Sequence, residues 1–62
     1  MNFKEFMEMY DNWNGMTKVN DNNLNTIIED RTINIMESYH DFFTKEVIAF
    51  GFYEDTLCVR VK

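Results

Sequence analysis

The sequence predicts a single α+β domain spanning residues 1–62, an N-terminal helix packed on a small antiparallel sheet in the order α-β-β-(short α)-β-β. Three observations lead there. Apolar residues at helical spacing open the chain. Two β-rich runs separated by two residues close it. An Asn- and Asp-rich cluster between them marks a turn that links two further strand candidates.

Phe3, Phe6, Met7 and Tyr10 fall at i, i+3, i+4 and i+7, one face of a 3.6-residue period. Lys4, Glu5, Glu8, Asp11 and Asn12 take the other side. Asn2 suits an N-cap, and Glu5 three residues later completes a capping box. Its carboxylate also meets the positive end of the helix dipole. Trp13 extends the apolar face, and Asn14-Gly15 supplies a stop, because glycine accepts the left-handed conformation after a helix. Helix 1 is therefore expected from Asn2 to Trp13.

Met16 to Asp21 is a short strand candidate, and Asn20-Asp21-Asn22-Asn23 a turn. Leu24 to Asp30 reads as a second strand centred on Ile27 and Ile28. The two would pair as a hairpin. Thr32 to Lys45 is ambiguous: Ile33, Met36, His40 and Phe43 have helical spacing, whereas Ile33-Asn34-Ile35 alternates like a strand. The favoured reading is a short helix capped by Thr32 and ending near Phe43.

Val47 to Tyr53 and Thr56 to Lys62 carry the strongest signal. A two-residue loop at Glu54-Asp55 pairs Phe52 with Leu57, Phe50 with Val59 and Ile48 with Val61. All six large apolar side chains then share one face, a segregation that a one-residue slip would destroy. The other face receives Val47, Ala49, Gly51 and Tyr53 against Lys62, Arg60, Cys58 and Thr56. Glu54-Asp55 lacks the glycine that a type I′ turn prefers, which leaves a longer bulged loop open.

Composition narrows the function. The chain is 62 residues long, 45% apolar and 16% aromatic, with one Cys, one His and a net charge of −5. That aromatic content is not the composition of disorder. No 18-residue apolar run is present to span a membrane. No basic stretch followed by an apolar one suggests a signal peptide. One Cys supports neither an internal disulfide nor a zinc site. The acidic balance argues against direct nucleic-acid binding, which needs clustered Lys and Arg. A domain of this size should expose about 4,200 Å² and rely on dense aromatic packing or on a partner.

Chemical motifs are sparse. Glu37 and Asp41 flank His40, but Glu-x-x-His occurs once, and a di-iron site needs two copies and further carboxylates. His40 reads more simply as a partly exposed polar residue, and Cys58 as a small inert hydrophobe. No phosphate-cradling glycine loop is present. A metal-dependent enzyme using Glu37, His40 and Asp41 is the least supported reading. No catalytic residue, metal or cofactor is assigned.

Charge is distributed unevenly. Residues 1–15 and 16–30 carry −2 each, 31–46 carry −1 and 47–62 are neutral. Glu5, Glu8 and Asp11 recur along the outer side of helix 1, and Asp21, Glu29 and Asp30 could join the same field. Taken singly these are solvating charges. Together they would steer the protein onto a basic surface. A second surface, Ala49, Gly51 and Cys58 with Tyr53 and Arg60, is a strip of small side chains suited to homodimerisation. The exposed edge strand offers another route.

The run Lys45-Glu46-Val47-Ile48-Ala49-Phe50-Gly51-Phe52-Tyr53 with Leu57-Cys58-Val59-Arg60-Val61 resembles the C-terminal part of small accessory proteins. These come from phages and integrative elements of low-GC Gram-positive bacteria. The Phe-rich helix leading into Tyr10-Asp11-Asn12-Trp13-Asn14-Gly15 is similar to theirs too. Together these segments cover about half the chain. Some small acidic proteins of such elements are anti-CRISPR inhibitors, so the resemblance implies counter-defence in the bacterial cytoplasm. It carries over no functional residue. The expected partner is a larger protein with a basic surface, such as a CRISPR effector nuclease, whose positive channel holds nucleic acid. The rival expectation is a homo-oligomeric adaptor or regulatory subunit of a mobile element. Monomer and homodimer both remain open.

Overall fold

The computed structural model describes residues 1–62 and has the expected element order. Helix α1 spans Phe3–Glu8, strand β1 Met16–Asn20, strand β2 Thr26–Arg31 and helix α2 Thr32–Ser38. A 3-10 turn follows at His40–Phe42, then β3 at Val47–Tyr53 and β4 at Thr56–Val61. The strands lie in the order β2-β1-β4-β3. Each hairpin is antiparallel, but β1 and β4 run parallel where the hairpins join, so the sheet is mixed rather than wholly antiparallel. The accessible surface, 4138 Å², is what the chain length implies. No helix is long and apolar enough to cross a membrane.

Helix α1 starts as the sequence dictates. The Asn2 side chain accepts the Glu5 N–H at 2.8 Å, and Glu5 Oε1 accepts the Asn2 N–H at 2.9 Å. It ends at Glu8, not at Trp13. Trp13 instead folds back, and its indole N–H donates to the Met7 carbonyl at 3.2 Å. That carbonyl also accepts the Tyr10 N–H at 3.1 Å, so the indole adds a second bond that ties Trp13 to the helix end. Gly15 has no positive φ and is not the stop.

Of residues 32–45, Thr32–Ser38 form α2 and His40–Phe42 a 3-10 turn, so the helix ends at Ser38 rather than near Phe43, and its start differs too. Thr32 is the first helical residue, not the cap, and Arg31 at the cap position makes no side-chain bond. The first N–H groups are satisfied from the preceding loop: Thr32 N–H donates to the Gly15 carbonyl at 2.9 Å and Ile33 N–H to that of Trp13 at 3.2 Å. The Thr32 hydroxyl is thereby free to bond the Thr17 hydroxyl at 2.6 Å, both residues being fully buried.

The interior lies between one sheet face and the two helices. Phe3 and Met7 of α1, Ile35 and Met36 of α2, and Phe42 pack on Val19 of β1 and on Leu57, Val59 and Val61 of β4. Phe3 meets Phe42 edge-on, with centroids 6.2 Å apart, an arrangement that the ring quadrupoles favour. The hairpin register holds for Phe52 with Leu57 and Phe50 with Val59. A bulge then shifts it, so Val47, not Ile48, faces Val61. The N-terminus accompanies the shift: the Val47 N–H donates to the Met1 carbonyl at 3.0 Å, and Asn2 bridges to Glu46. Val47 therefore packs on the core, and Ile48 stays exposed.

The loop between β3 and β4 is the tight two-residue turn, since Tyr53 pairs with Thr56. Glu54 and Asp55 both take positive φ, 47° and 66°. This is the type I′ pattern that Asn-Gly favours, and L-residues other than glycine pay roughly 1–2 kcal/mol there.

Two stability predictions follow from this geometry. Replacing Glu54-Asp55 by Asn-Gly should raise the unfolding free energy by about 1–2 kcal/mol in urea titration; a decrease would contradict the strained-turn account. Thr17→Val or Thr32→Val alone leaves a buried hydroxyl unpaired and should cost about 1–3 kcal/mol. The double variant should cost less than the sum of the two, and strict additivity would show the pair is not coupled.

Candidate functional site

The sheet has one covered face and one open face. Alternation from the buried Thr17, Val19, Leu57 and Val59 assigns Met16, Lys18 and Asn20 of β1 and Thr56, Cys58 and Arg60 of β4 to the open side. Register adds Glu29 and Arg31 of β2, and Ala49, Gly51 and Tyr53 of β3. The strip Ala49, Gly51, Tyr53, Cys58 and Arg60 expected from the sequence is thus brought together. Ala49, Gly51, Cys58 and Arg60 line a shallow depression of about 180 Å³.

Two of the walls of that depression were missed in the sequence. Leu24, held at φ 66°, and Asn20 complete it. Asn20 lies beside Arg60 across the β1–β4 pairing. Its Oδ1 is buried and has no hydrogen-bond partner. Only the pairing of β1 with β4 brings Asn20 there, and no local pattern encodes that pairing.

The six candidate carboxylates are not one patch. Glu5 is bound in the capping box. Asp21 organises the Asn-rich loop, its Oδ1 accepting the Asn23 N–H at 2.8 Å and the Asn25 N–H at 2.9 Å. Asp30 Oδ1 accepts the Arg31 N–H at 2.6 Å and the Asn34 amide at 3.1 Å at the start of α2. Glu29 lies on the open face directly across from Lys18. Glu8, Asp11 and Glu29 are exposed with no side-chain hydrogen bond drawn to them, and of these Glu8 and Asp11 belong to the covered, helical side. Tyr10 packs on Phe52 at 6.0 Å, which brings the end of α1 alongside the end of β3. Asp11 therefore shares one end of the molecule with Glu54 and Asp55.

Charge consequently divides between the two sides. The open face carries Lys18, Arg31 and Arg60 against Glu29 and Glu54, the last lining a depression with Lys18, Tyr53 and Thr56, a net +1. The other three cations and nine anions leave −6 elsewhere.

The Glu37, His40 and Asp41 trio has a structural arrangement. The His40 ring packs on Phe43, centroids 4.8 Å apart. Its Nε2 lies 3.2 Å from the Met36 carbonyl; since a carbonyl only accepts, this nitrogen carries the proton. The bond closes the C-terminal end of α2. No three His, Cys, Asp or Glu side chains converge in a geometry suited to a metal ion.

No family model, curated protein or solved structure matches the chain.

The division between bonded and free carboxylates is testable. Glu5→Ala should lower stability by about 0.5–2 kcal/mol through loss of the cap. Glu8→Ala should stay within about 0.5 kcal/mol of the parent. Equal losses on thermal or urea unfolding would show that the two carboxylates are not distinct in this way.

Proposed function

We propose that the chain is a non-enzymatic, acidic protein-binding inhibitor that docks on the basic nucleic-acid-binding surface of a bacterial defence nuclease. It would act in the host cytoplasm, as the anti-CRISPR proteins of mobile elements do, without a cofactor and without binding nucleic acid itself. The observation that carries this reading is the charge division, −6 on the helical side and loops against +1 on the open face. An anion polarised in this way approaches a positive channel with its helical side leading. The contact set the geometry favours is narrower than the sequence suggested. Glu8 and Asp11 lead it, with Asp55 at the same end. Glu5, Asp21 and Asp30 hold the fold and contribute field rather than contacts. The Glu54-Asp55 turn adds support, because two carboxylates are kept at positive φ where Asn-Gly would fit with less strain.

Size is compatible with this role. A standard interface takes about 800 Å² from each partner, roughly a fifth of the 4138 Å² available. One side of the molecule suffices.

A second reading, a homo-oligomeric adaptor or regulatory subunit, is favoured by a separate observation. Strand β3 is an edge of the sheet and holds no charged residue.

The inhibitor reading is tested by pull-down and nuclease inhibition against a panel of CRISPR effectors. Glu8→Lys with Asp11→Lys should slow association by about tenfold or more at low salt, with the difference shrinking as salt is added. Unchanged binding and inhibition by this variant would remove the helical side as the contact surface. Absence of binding to every effector would remove the proposed target class.

A further inference from the structure

The two edges of the sheet are treated differently. Edge strand β2 carries Glu29, Asp30 and Arg31, the charges by which natural sheets keep their edges from pairing. Edge strand β3, Val-Ile-Ala-Phe-Gly-Phe-Tyr, carries none. Its outward groups can be assigned. The Glu46 carbonyl accepts the Lys62 N–H toward the sheet at 2.9 Å, while the Val47 N–H points away, to Met1. Beyond the bulge, the tight turn makes Tyr53 and Thr56 a hydrogen-bonded pair, so alternation makes Gly51–Cys58 another. The N–H and C=O groups of Phe50 and Phe52 therefore face outward, beyond the reach of the N-terminal segment that covers Val47.

From this geometry we infer that β3 pairs antiparallel with β3 of a second copy, about a twofold axis at Gly51, to form a continuous eight-stranded sheet. The register is the one that uses every outward group. Phe50 meets Phe52 of the second copy and exchanges both hydrogen bonds with it, and the axis repeats the exchange. Gly51 then faces its own copy. Nothing inside one molecule calls for glycine at this position: its φ is not positive, and a Cβ would meet no atom within 4 Å. A glycine inside a strand often marks the close approach of another backbone.

Area and charge both point to a second copy as the occupant. Phe50 and Phe52 are each 62% exposed and Tyr53 71%. At roughly 200 Å² per aromatic side chain, these three alone offer about 400 Å², half of what each partner gives a standard interface. Phe6, 4.8 Å from Phe50, lines an apolar groove with Met1, Val47 and Ile48 beside them. Two molecules of charge −5 repel over most of their surfaces. An uncharged strand is where they can meet, and salt should help them to. This inference stands on the edge strand and holds whether or not the inhibitor reading does. The salt response separates the two, since target binding should weaken with salt and self-association strengthen.

Sedimentation of the full chain across concentration, combined with amide hydrogen exchange, tests it. The expected result is a dimer that tightens between about 0.05 and 0.5 M NaCl. On dimerisation the Phe50 and Phe52 amides should slow by about tenfold or more. Phe52→Lys, at an exposed edge position, should weaken the dimer by about thirtyfold or more while circular dichroism stays that of the parent. Arg60→Glu, on the open face, should leave the dimer intact. A strict monomer at about 1 mM, far above ordinary dimer affinities, would overturn the proposal. So would a dimer in which those two amides remain unprotected, or one that Arg60→Glu disrupts. Amide protection in the parent decides the matter even if Phe52→Lys does not fold.

Discussion

The parallel pairing of β1 with β4 is the constraint on which the rest of this molecule depends. An isolated two-stranded hairpin is marginal in water, and this chain is two hairpins. They become one domain because Thr17 lies beside Leu57 and Val19 beside Val59. All four residues are buried, and the core built on them takes in Phe3, Met7, Ile35 and Phe42. Parallel neighbours need a long crossover, and residues 21–55 supply it as β2, α2, the 3-10 turn and β3. The Thr17–Thr32 hydroxyl bond joins the first strand of the seam to α2. Interior satisfaction, helix placement and strand order all follow from this one join.

The join also decides what the surface can do. With β1 and β4 central, β2 and β3 become edges. One edge is charged and the other is not. With both helices on one face, the opposite face is left open with its three cations. Most of the carboxylates fall on the helical side and in the loops. A chain of 62 residues thus presents three surfaces of different character: an acidic side, a mildly basic open face and a neutral edge. Carboxylates already used in caps and turns are poor candidates for contact. That leaves Glu8, Asp11, Glu37, Asp41, Glu46 and Asp55 on the helical side and in the loops, with Glu29 and Glu54 toward the open face, as the groups available to a partner.

The legible parts of the fold were those written in local pattern. The capping box at Asn2 and Glu5 and the Phe50–Val59 register needed only short-range chemistry. Helix 1 was read too long, because Trp13 continues the apolar spacing although its indole reaches Met7 by folding back. The Val47 bulge was invisible, since it goes with Met1 meeting Val47 and Asn2 meeting Glu46 across most of the chain. Thr32 looked like a cap because hydroxyls usually serve as caps at helix starts; its bond partner lies fifteen residues earlier. The parallel seam was the largest omission. Two hairpins can join by any of their edges, and the choice is made by core packing rather than by neighbours in sequence. A trace of it existed in the clean alternation of Leu57, Val59 and Val61, which marks β4 as the most buried strand. The charges of β2 mark an edge in the same way. For the candidate site, composition gave the sign of the surface but could not say which carboxylates were already bonded.

Nuclear Overhauser measurements across β1 and β4 test the central claim directly. The account predicts that contacts advance in the same direction along both strands, Thr17 with Leu57 and Val19 with Val59. Contacts that advance in opposite directions, or two hairpins with no contacts between them, would contradict it.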